Sequence, residues 1–129
     1  MRKIVVDTNF LLMPYEYRID LVSELRRIIH SPITLVVSQG TLNEISMLSG
    51  RAGRKAAAAR FILSNMEKFK SAFGFEIAPD TGAVDKWILK HAQENLLTVA
   101  TNDIPLRKKL LAKGVPVIVM KGKSKLEFV

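Results

Sequence analysis

Short runs of apolar, mostly β-branched residues alternate along the chain with segments whose apolar residues recur at helical spacing. The runs at residues 4–6, 33–37, 75–77, 96–100 and 115–120 predict five strands. Strands that alternate with helices are typical of βαβ units with right-handed crossovers. We therefore predict an α/β domain with a parallel sheet that is covered by helices on both faces.

The helical segments follow from amphipathic stripes and from breaker residues at their ends. A helix begins within residues 10–13 and is expected to be interrupted by Pro14, and residues 38–40 are predicted as a turn. Asp80 or Thr81 is expected to cap the fourth of the remaining helices. Those helices are predicted over residues 19–29, 41–48, 54–72, 83–93 and 104–113.

The composition limits the cellular setting and favours an anionic partner. The chain has 129 residues, no cysteine, and 20 Lys and Arg against 12 Asp and Glu, which gives a formal net charge of +8. No apolar run approaches the roughly 20 residues that span a bilayer, and Asp7 interrupts any secretory signal. We expect a cytoplasmic protein without membrane contact whose basic surface binds nucleic acid, although a merely soluble basic protein is the alternative.

We divide the chain into one domain over residues 1–120 and a basic tail over residues 121–129. Leu126 and Phe128 of this tail either form an edge strand or remain loose. Residues 10–13 are more apolar than a loop requires, and they lie either in the core or on a homodimer surface.

Four acidic residues occupy corresponding positions after the predicted strands. Asp7 ends the first strand, Glu44 lies near the start of the helix after the second, Asp85 lies in the first turn of the helix after the third, and Asp103 follows the fourth. The carboxyl ends of parallel strands meet at one edge of a sheet, where ligands bind. We therefore expect four carboxylates in one cleft.

Each of these acids also has a purely structural alternative. Asp7 and Asp103 are suitable caps for the helices that follow them, and Thr41-x-x-Glu44 matches a capping box. Asp85 suits the positive end of a helix dipole. The helical spacing places Glu44 and Asp85 beside apolar stripes, so we expect both side chains to face the sheet.

Four carboxylates in one cleft repel one another unless a cation is bound. Mg²⁺ and Mn²⁺ prefer oxygen ligands, and a chain without cysteine offers no thiolate for a softer metal. Such an ion activates water and stabilises charge at phosphorus. Neutral polar groups that could orient water or phosphate stand beside the acids: Thr8, Asn9, Thr101 and Asn102.

At these residues the chain resembles the PIN-domain family of metal-dependent ribonucleases, which are related to 5′-nucleases. The matching segments are residues 5–9, residues 36–37 leading to Glu44, residues 85–89 and residues 99–103. The resemblance covers nearly the whole chain in the expected order. It implies a three-layer α/β/α fold with a central five-stranded parallel sheet.

The resemblance also implies a function. It implies Mg²⁺ or Mn²⁺ held by Asp7, Glu44, Asp85 and Asp103, with Thr101 in support, and RNA phosphodiester hydrolysis by metal-activated water. Many members carry paired acids where this chain has a single carboxylate after Val84. Residues 99–106 and 114–117 look closest to the archaeal and ribosomal-RNA-processing branch, which implies a ribosome-assembly partner.

Three other functions stay open at this point. A ribonuclease toxin would be paired with an antitoxin protein, and a catalytically silent PIN module would only bind RNA. A phosphatase or phosphoacceptor domain usually has a second Asp close to the first, which residues 7–9 lack.

The basic residues form two groups along the sequence, which we predict to contact the phosphates of RNA. The alternative is a solvated surface. Few aromatic residues lie among these charges in the sequence, so base stacking is not expected. The predicted RNA-binding residues are Arg51, Arg54, Lys55, Arg107, Lys108, Lys121 and Lys123.

Overall fold

The computed structural model describes residues 2–80 and 82–129 and contains one six-stranded sheet. The strands lie in the order β3-β2-β1-β4-β5-β6, and β1 to β5 are parallel. This arrangement confirms the predicted α/β fold with five parallel strands. The strands are β1 Arg2–Val6, β2 Ile33–Ser38, β3 Gly74–Ala78, β4 Thr98–Ala100, β5 Val117–Lys121 and β6 Lys125–Phe128.

The helices cover the two faces of the sheet and form two separate cores. The larger core packs α1 to α5 on one face, and the smaller core packs α6 and α7 on the other. Within the described residues no helix is long and apolar enough to cross a membrane. The helices are α1 Thr8–Tyr17, α2 Leu21–Ile28, α3 Gln39–Ser49, α4 Arg54–Ser64, α5 Met66–Ala72, α6 Val84–Glu94 and α7 Ile104–Ala112.

The sheet topology creates a crevice between β1 and β4. Within the sheet, β2 lies next to one edge of β1, and β4 lies next to the other edge of β1. The chain therefore leaves β1 in one direction and later returns on its opposite edge. In open α/β sheets, ligands bind beyond the carboxyl ends of two strands that diverge in this way. Asp7 directly follows β1 and Asp103 follows β4 by three residues, so the topology places both acids at this crevice.

The C-terminal segment forms the edge of the sheet, which was one of the two alternatives for it. β6 pairs with β5 in antiparallel register, with Met120 opposite Leu126. Two side chains of α2 bind the outer backbone groups of Leu126: the Glu24 carboxylate accepts from its N–H at 3.0 Å, and Arg27 donates to its carbonyl at 2.7 Å. The last strand is therefore fixed to α2 as well as to β5.

Several predicted boundaries are wrong, each for a local reason. The single helix over residues 54–72 is divided at Asn65, whose side-chain amide donates to the carbonyl of Phe61 at 2.8 Å. The first helix continues past Pro14 to Tyr17 because residues 10–14 are buried in the larger core, which excludes a dimer surface at residues 10–13. Helix α3 begins at Gln39, two residues earlier than predicted, because Ser38 caps it.

The fourth strand also begins later than predicted because Leu96 ends the preceding helix. Leu96 adopts a left-handed conformation with φ of 52°, and the next N–H, of Leu97, donates to the carbonyl of Ala92 at 2.8 Å. This geometry is the Schellman motif, in which glycine usually occupies the left-handed position. The side chain is 93% exposed, so it gains no burial that would offset the backbone strain.

Replacing Leu96 with Gly should therefore stabilise the protein. The left-handed conformation costs a residue with a Cβ atom about 1 kcal/mol or more, and for a domain of this size that corresponds to a rise of about 3 °C in melting temperature. Thermal unfolding followed by circular dichroism measures this. The matched control is Leu111→Gly in α7, which should lower the melting temperature because glycine weakens a regular helix. If both glycines destabilise the protein equally, Leu96 is not strained.

Candidate functional site

All four predicted acids border one cleft of about 310 Å³ beyond the carboxyl ends of β1 and β4. The acids therefore come together although they are spread over most of the chain. The lining residues are Asp7, Thr8, Asn9, Glu44, Ala83, Val84, Asp85 and Asp103.

Asp7 is the most constrained of these acids. It caps α1, with one carboxylate oxygen accepting from the N–H of Phe10 at 2.7 Å. The other oxygen accepts from the hydroxyl of Thr101, which is fully buried and in turn accepts from the N–H of Asp103 at 3.1 Å. Because Asp7 also donates its N–H to the carbonyl of Ala100, it joins β1, α1 and the turn that follows β4.

Burial raises the pKa of Asp7 above its usual value of 3.8. The hydrogen bonds from Thr101 and from the N–H of Phe10 lower that pKa, while the charges of Asp85 and Asp103 raise it. Among the described residues, no lysine, arginine or histidine forms an ion pair with any of the four acids. The cleft thus holds negative charge that the side chains around it do not neutralise.

Asp103 is both a helix cap and a lining residue of the cleft. Its carboxylate accepts from the N–H of Leu106 at 2.9 Å at the start of α7. Asp7 and Asp103 therefore both cap helices, as the structural alternative predicts, although both also line the cleft. A carboxylate has about four lone-pair sites, so a single capping bond leaves acceptor capacity for a cation.

Glu44 has no capping role. Ser38 is the cap of α3, so the capping box from Thr41 to Glu44 is wrong and Glu44 lies in the second turn of the helix. The Thr41 hydroxyl is instead buried, 3.2 Å from the hydroxyls of both Thr8 and Ser38. Glu44 is exposed at the cleft and makes no hydrogen bond with the described residues, so its carboxylate is available to a ligand.

Asp85 reaches the cleft because the loop before α6 packs against the start of α3. The N–H of Gly40 donates to the carbonyl of Asp80 at 3.0 Å, and a Cβ atom on Gly40 would lie 3.2 Å from the carbonyl oxygen of Gly82. This close approach brings the first turn of α6 next to α3, and so brings Asp85 next to Glu44.

Two expectations for these helices change. Ala83 is the cap residue of α6, and Asp80 instead binds the N–H of Gly82, while Thr81 lies outside the described residues. Glu44 and Asp85 are both exposed, so the prediction that they turn towards the sheet is wrong. They lie in the first two turns of their helices, beyond the ends of the strands, and therefore border the mouth of the cleft.

The donors of the cleft have the chemistry that a hard divalent cation requires, since they are carboxylate, hydroxyl and amide oxygens. Within residues 2–80 and 82–129, no three Asp, Glu or His side chains are already close enough together to hold a metal ion. Mg²⁺ usually keeps several waters and needs only one or two protein carboxylates. The residues present therefore fit such an ion without a complete protein cage.

The remaining predicted residues are distributed unevenly. Thr8 and Asn9 line the cleft and Thr101 lies behind Asp7, but the Asn102 side chain accepts from the N–H of Met120 at 2.8 Å and joins β4 to β5 instead. Of the predicted RNA-binding residues, Arg54, Lys55 and Lys123 line a second cleft of about 650 Å³. Lys121 pairs with Glu127 at 3.5 Å, Arg107 and Lys108 belong to α7, and Arg51 precedes α4.

The bond between the buried hydroxyls of Ser38 and Thr41 was not predicted, because Ser38 was assigned to a turn and Thr41 to a capping box. Ser38 accepts from the N–H of Thr41 at 3.0 Å, which fixes the start of α3 behind Thr8. A serine directly before a helical segment is a capping signal. It was hidden because residues 38–40 read equally well as a turn.

The raised pKa of Asp7 predicts a pH dependence of stability in the metal-free protein. Below pH 3.8 the carboxyl is protonated in both the folded and unfolded chains. Above it, the folded protein holds the proton longer, so its free energy of unfolding falls as the pH rises through the raised pKa. The Asp7→Asn variant has no carboxyl there to titrate. Its free energy of unfolding relative to that of wild type should therefore increase between pH 3.8 and the raised pKa of Asp7.

Urea unfolding in EDTA at a series of pH values measures this difference. Asp20 and Glu24, whose pKa values are lowered mainly by hydrogen bonds from Ser23 and Arg27, change stability at lower pH and do so in both proteins. Their contribution therefore cancels. A stability difference that is constant with pH would show that Asp7 is not destabilised by its charge.

Known proteins resemble this chain in sequence and in structure. A family model described as a PIN like domain matches residues 4–123. Ribonuclease VapC4 of Methanocaldococcus jannaschii is 30% identical in an alignment 131 positions long, which covers 98% of this chain and 96% of that protein. Ribonuclease VapC9 of Archaeoglobus fulgidus is 31% identical over 121 residues, which cover 94% of this chain and 84% of that protein.

Two solved structures share the fold. The PIN domain endonuclease Utp24 superposes with a TM-score of 0.75 at 22% identity, over 98% of this chain and 90% of that one. A domain of a functionally unknown protein from Methanocaldococcus jannaschii superposes with a TM-score of 0.69 at 16% identity, over 95% of this chain and 93% of that one. The resemblance inferred from the acidic segments is thus confirmed, and the chain belongs to the PIN-like domain family.

Proposed function

We propose that this protein is an endoribonuclease that uses Mg²⁺ or Mn²⁺ to hydrolyse RNA phosphodiester bonds. The observation that carries the proposal is the convergence of Asp7, Glu44, Asp85 and Asp103 on one cleft without a cationic partner among the described residues. The names of the two curated relatives, both ribonucleases, support the same reaction.

The four acids would hold the cation in two different ways. Asp7 and Asp103 are fixed by backbone and hydroxyl donors, so their carboxylates are already oriented. Glu44 and Asp85 have no such bonds with the described residues and are exposed, so they can adjust to the ion and to its waters. When bound, the cation would supply an activated water and would neutralise charge on the phosphate.

The polar residues of the cleft would act on the RNA itself. Asn9 is exposed at the cleft, where its amide can donate to a phosphate oxygen. Thr8 is buried and bound to Thr41, so it supports the wall of the cleft. The predicted basic residues would contribute electrostatic attraction to the backbone that does not depend on base sequence.

The biological role has two candidates within this activity. Processing of ribosomal RNA, with a ribosome-assembly partner, rests on the sequence resemblance alone, and a ribonuclease toxin with an antitoxin partner rests on the same resemblance. Inducing the protein in a bacterial host distinguishes the two. Growth arrest that Asp7→Asn relieves favours the toxin, and specific cleavage of a ribosomal RNA precursor without arrest favours processing.

Asp7→Asn should abolish metal-dependent RNA cleavage while the fold is retained. Removing one oriented charged group from such a site is expected to slow cleavage by at least about a hundredfold. Labelled RNA incubated with Mn²⁺ or with EDTA gives the rate, and circular dichroism checks the fold. Glu67→Gln, on the exposed surface of α5, is the matched control and should cleave like wild type. If Asp7→Asn cleaves at the wild-type rate, the proposed site is wrong.

The Asp103→Asn variant should retain the helix cap of α7 but bind the cation more weakly. Asparagine caps a helix as well as aspartate does, so the melting temperature in EDTA should change little. Mn²⁺ at ten times its dissociation constant should stabilise the wild-type protein by about 1.4 kcal/mol. This corresponds to a rise of about 3–5 °C in melting temperature. The variant should show much less of this rise at the same Mn²⁺ concentration. An equal response in both proteins would exclude Asp103 as a ligand.

A further inference from the structure

A wide, open cleft lies at the end of α1 that is opposite Asp7. It has a volume of about 810 Å³, and a neighbouring cleft of about 650 Å³ shares Glu16, Arg18 and Arg54 with it. The two clefts therefore form one continuous depression between α1 and α4. We call this depression the aromatic trough, because Tyr15, Tyr17 and Phe61 line it.

These three aromatic side chains are partly exposed to solvent. Tyr15 is 41% exposed, Tyr17 is 38% and Phe61 is 39%, and the first and last form a ring pair with centroids 5.4 Å apart. Both tyrosines of the chain are thus on one surface. They come from α1 and the phenylalanine comes from α4, so the trough exists only in the folded protein.

Cations surround the rings and lack acidic partners. Arg18, Arg54, Lys55 and Lys123 line the trough, and none of them forms an ion pair with the residues that the structure describes. The acids that line the trough are Glu16 and Asp20, and Asp20 caps α2 through the N–H and hydroxyl of Ser23. With Lys68, the lining has five cations against these two acids, a formal charge of +3, which suits a polyanion.

One helix end adds to this positive character. Arg18 is the C-cap residue of α1, where a cation is favourable because that helix end has a partial negative charge. The start of α4 has no side-chain cap, so the partial positive charge of that helix end faces the trough beside Gly53.

We propose that the aromatic trough binds an unpaired segment of a nucleic acid strand, with bases on the exposed rings and phosphates on the surrounding cations. Exposed aromatic side chains along a basic groove are how proteins bind single strands without sequence preference. An acidic peptide would use the cations but would gain little from the rings. Stacked bases in a duplex would not reach the rings.

The trough and the acidic cleft lie at the two ends of one helix. Asp7 caps α1 at the cleft and Tyr17 ends it at the trough, so ten residues, or about 15 Å of helix, separate them. Building on the proposed ribonuclease function, we infer that an RNA strand bound in the trough continues along α1 to the acidic cleft.

The test measures binding in EDTA, where no cleavage occurs, by fluorescence anisotropy of a labelled single-stranded RNA and of a blunt RNA duplex. Tyr15→Leu/Phe61→Leu should bind the single strand at least about fivefold more weakly and the duplex within twofold of wild type. Phe128→Leu is the matched control because that ring is 38% exposed on β6, outside the trough, and it should bind like wild type. If the double variant does not fold, the same binding measurement is made with Tyr17→Leu, which also removes a ring from the trough.

Three results would overturn the trough: unchanged single-strand binding in both trough variants, equal losses for single strand and duplex, or displacement of the RNA by an acidic peptide at equal charge concentration. The two proposals fail separately. Cleavage by wild type in Mn²⁺ tests the ribonuclease function, whereas ring-dependent binding in EDTA tests the trough, so either result can be negative while the other is positive.

Discussion

The buried carboxylate of Asp7 is the constraint on which the arrangement of this protein depends. Removing a carboxylate from water is costly unless hydrogen bonds replace those lost to solvent. Thr101 and the N–H of Phe10 supply them, and they come from two different parts of the chain. The side chain can therefore be buried only if β1, α1 and the turn after β4 are all in place.

The same hydrogen bonds divide the four acids into two kinds. Asp7 and Asp103 contribute to the fold through their caps, so their positions are set before any ligand arrives. Glu44 and Asp85 cap no helix, and their exposure allows their side chains several rotamers. The first pair therefore has a role in folding that the second pair lacks, and the position of the second pair at the same cleft is what supports the proposed cation site.

The sequence allowed the fold and the meeting point of the acids to be predicted, because both follow from the order of the elements. β-Branched runs mark the strands, and the βαβ rule places their carboxyl ends at one edge. Helix ends that depend on a single residue were not predictable in the same way. Asn65 divides a helix through one amide bond, and Leu96 ends another in a conformation that its side chain disfavours.

The aromatic trough was missed for a different reason. Tyr15 and Phe61 are 46 positions apart in the sequence, and each stands there beside apolar residues that indicate a buried helix face. Their proximity depends on how α1 packs against α4, which periodicity within a single helix does not specify. Sites assembled from strand ends are therefore easier to anticipate than sites assembled from helix surfaces.

The attachment of β6 to α2 has a consequence for how copies of this chain can associate. Unpaired backbone groups on an edge strand are a template for another strand, but both outward groups of Leu126 are already bound by Glu24 and Arg27. Continuation of the sheet into a second molecule is therefore directed to β3 at the opposite edge. Two copies joined there would close on each other about a two-fold axis, leaving α2-covered strands at both outer ends, so the pairing would not propagate into a fibre.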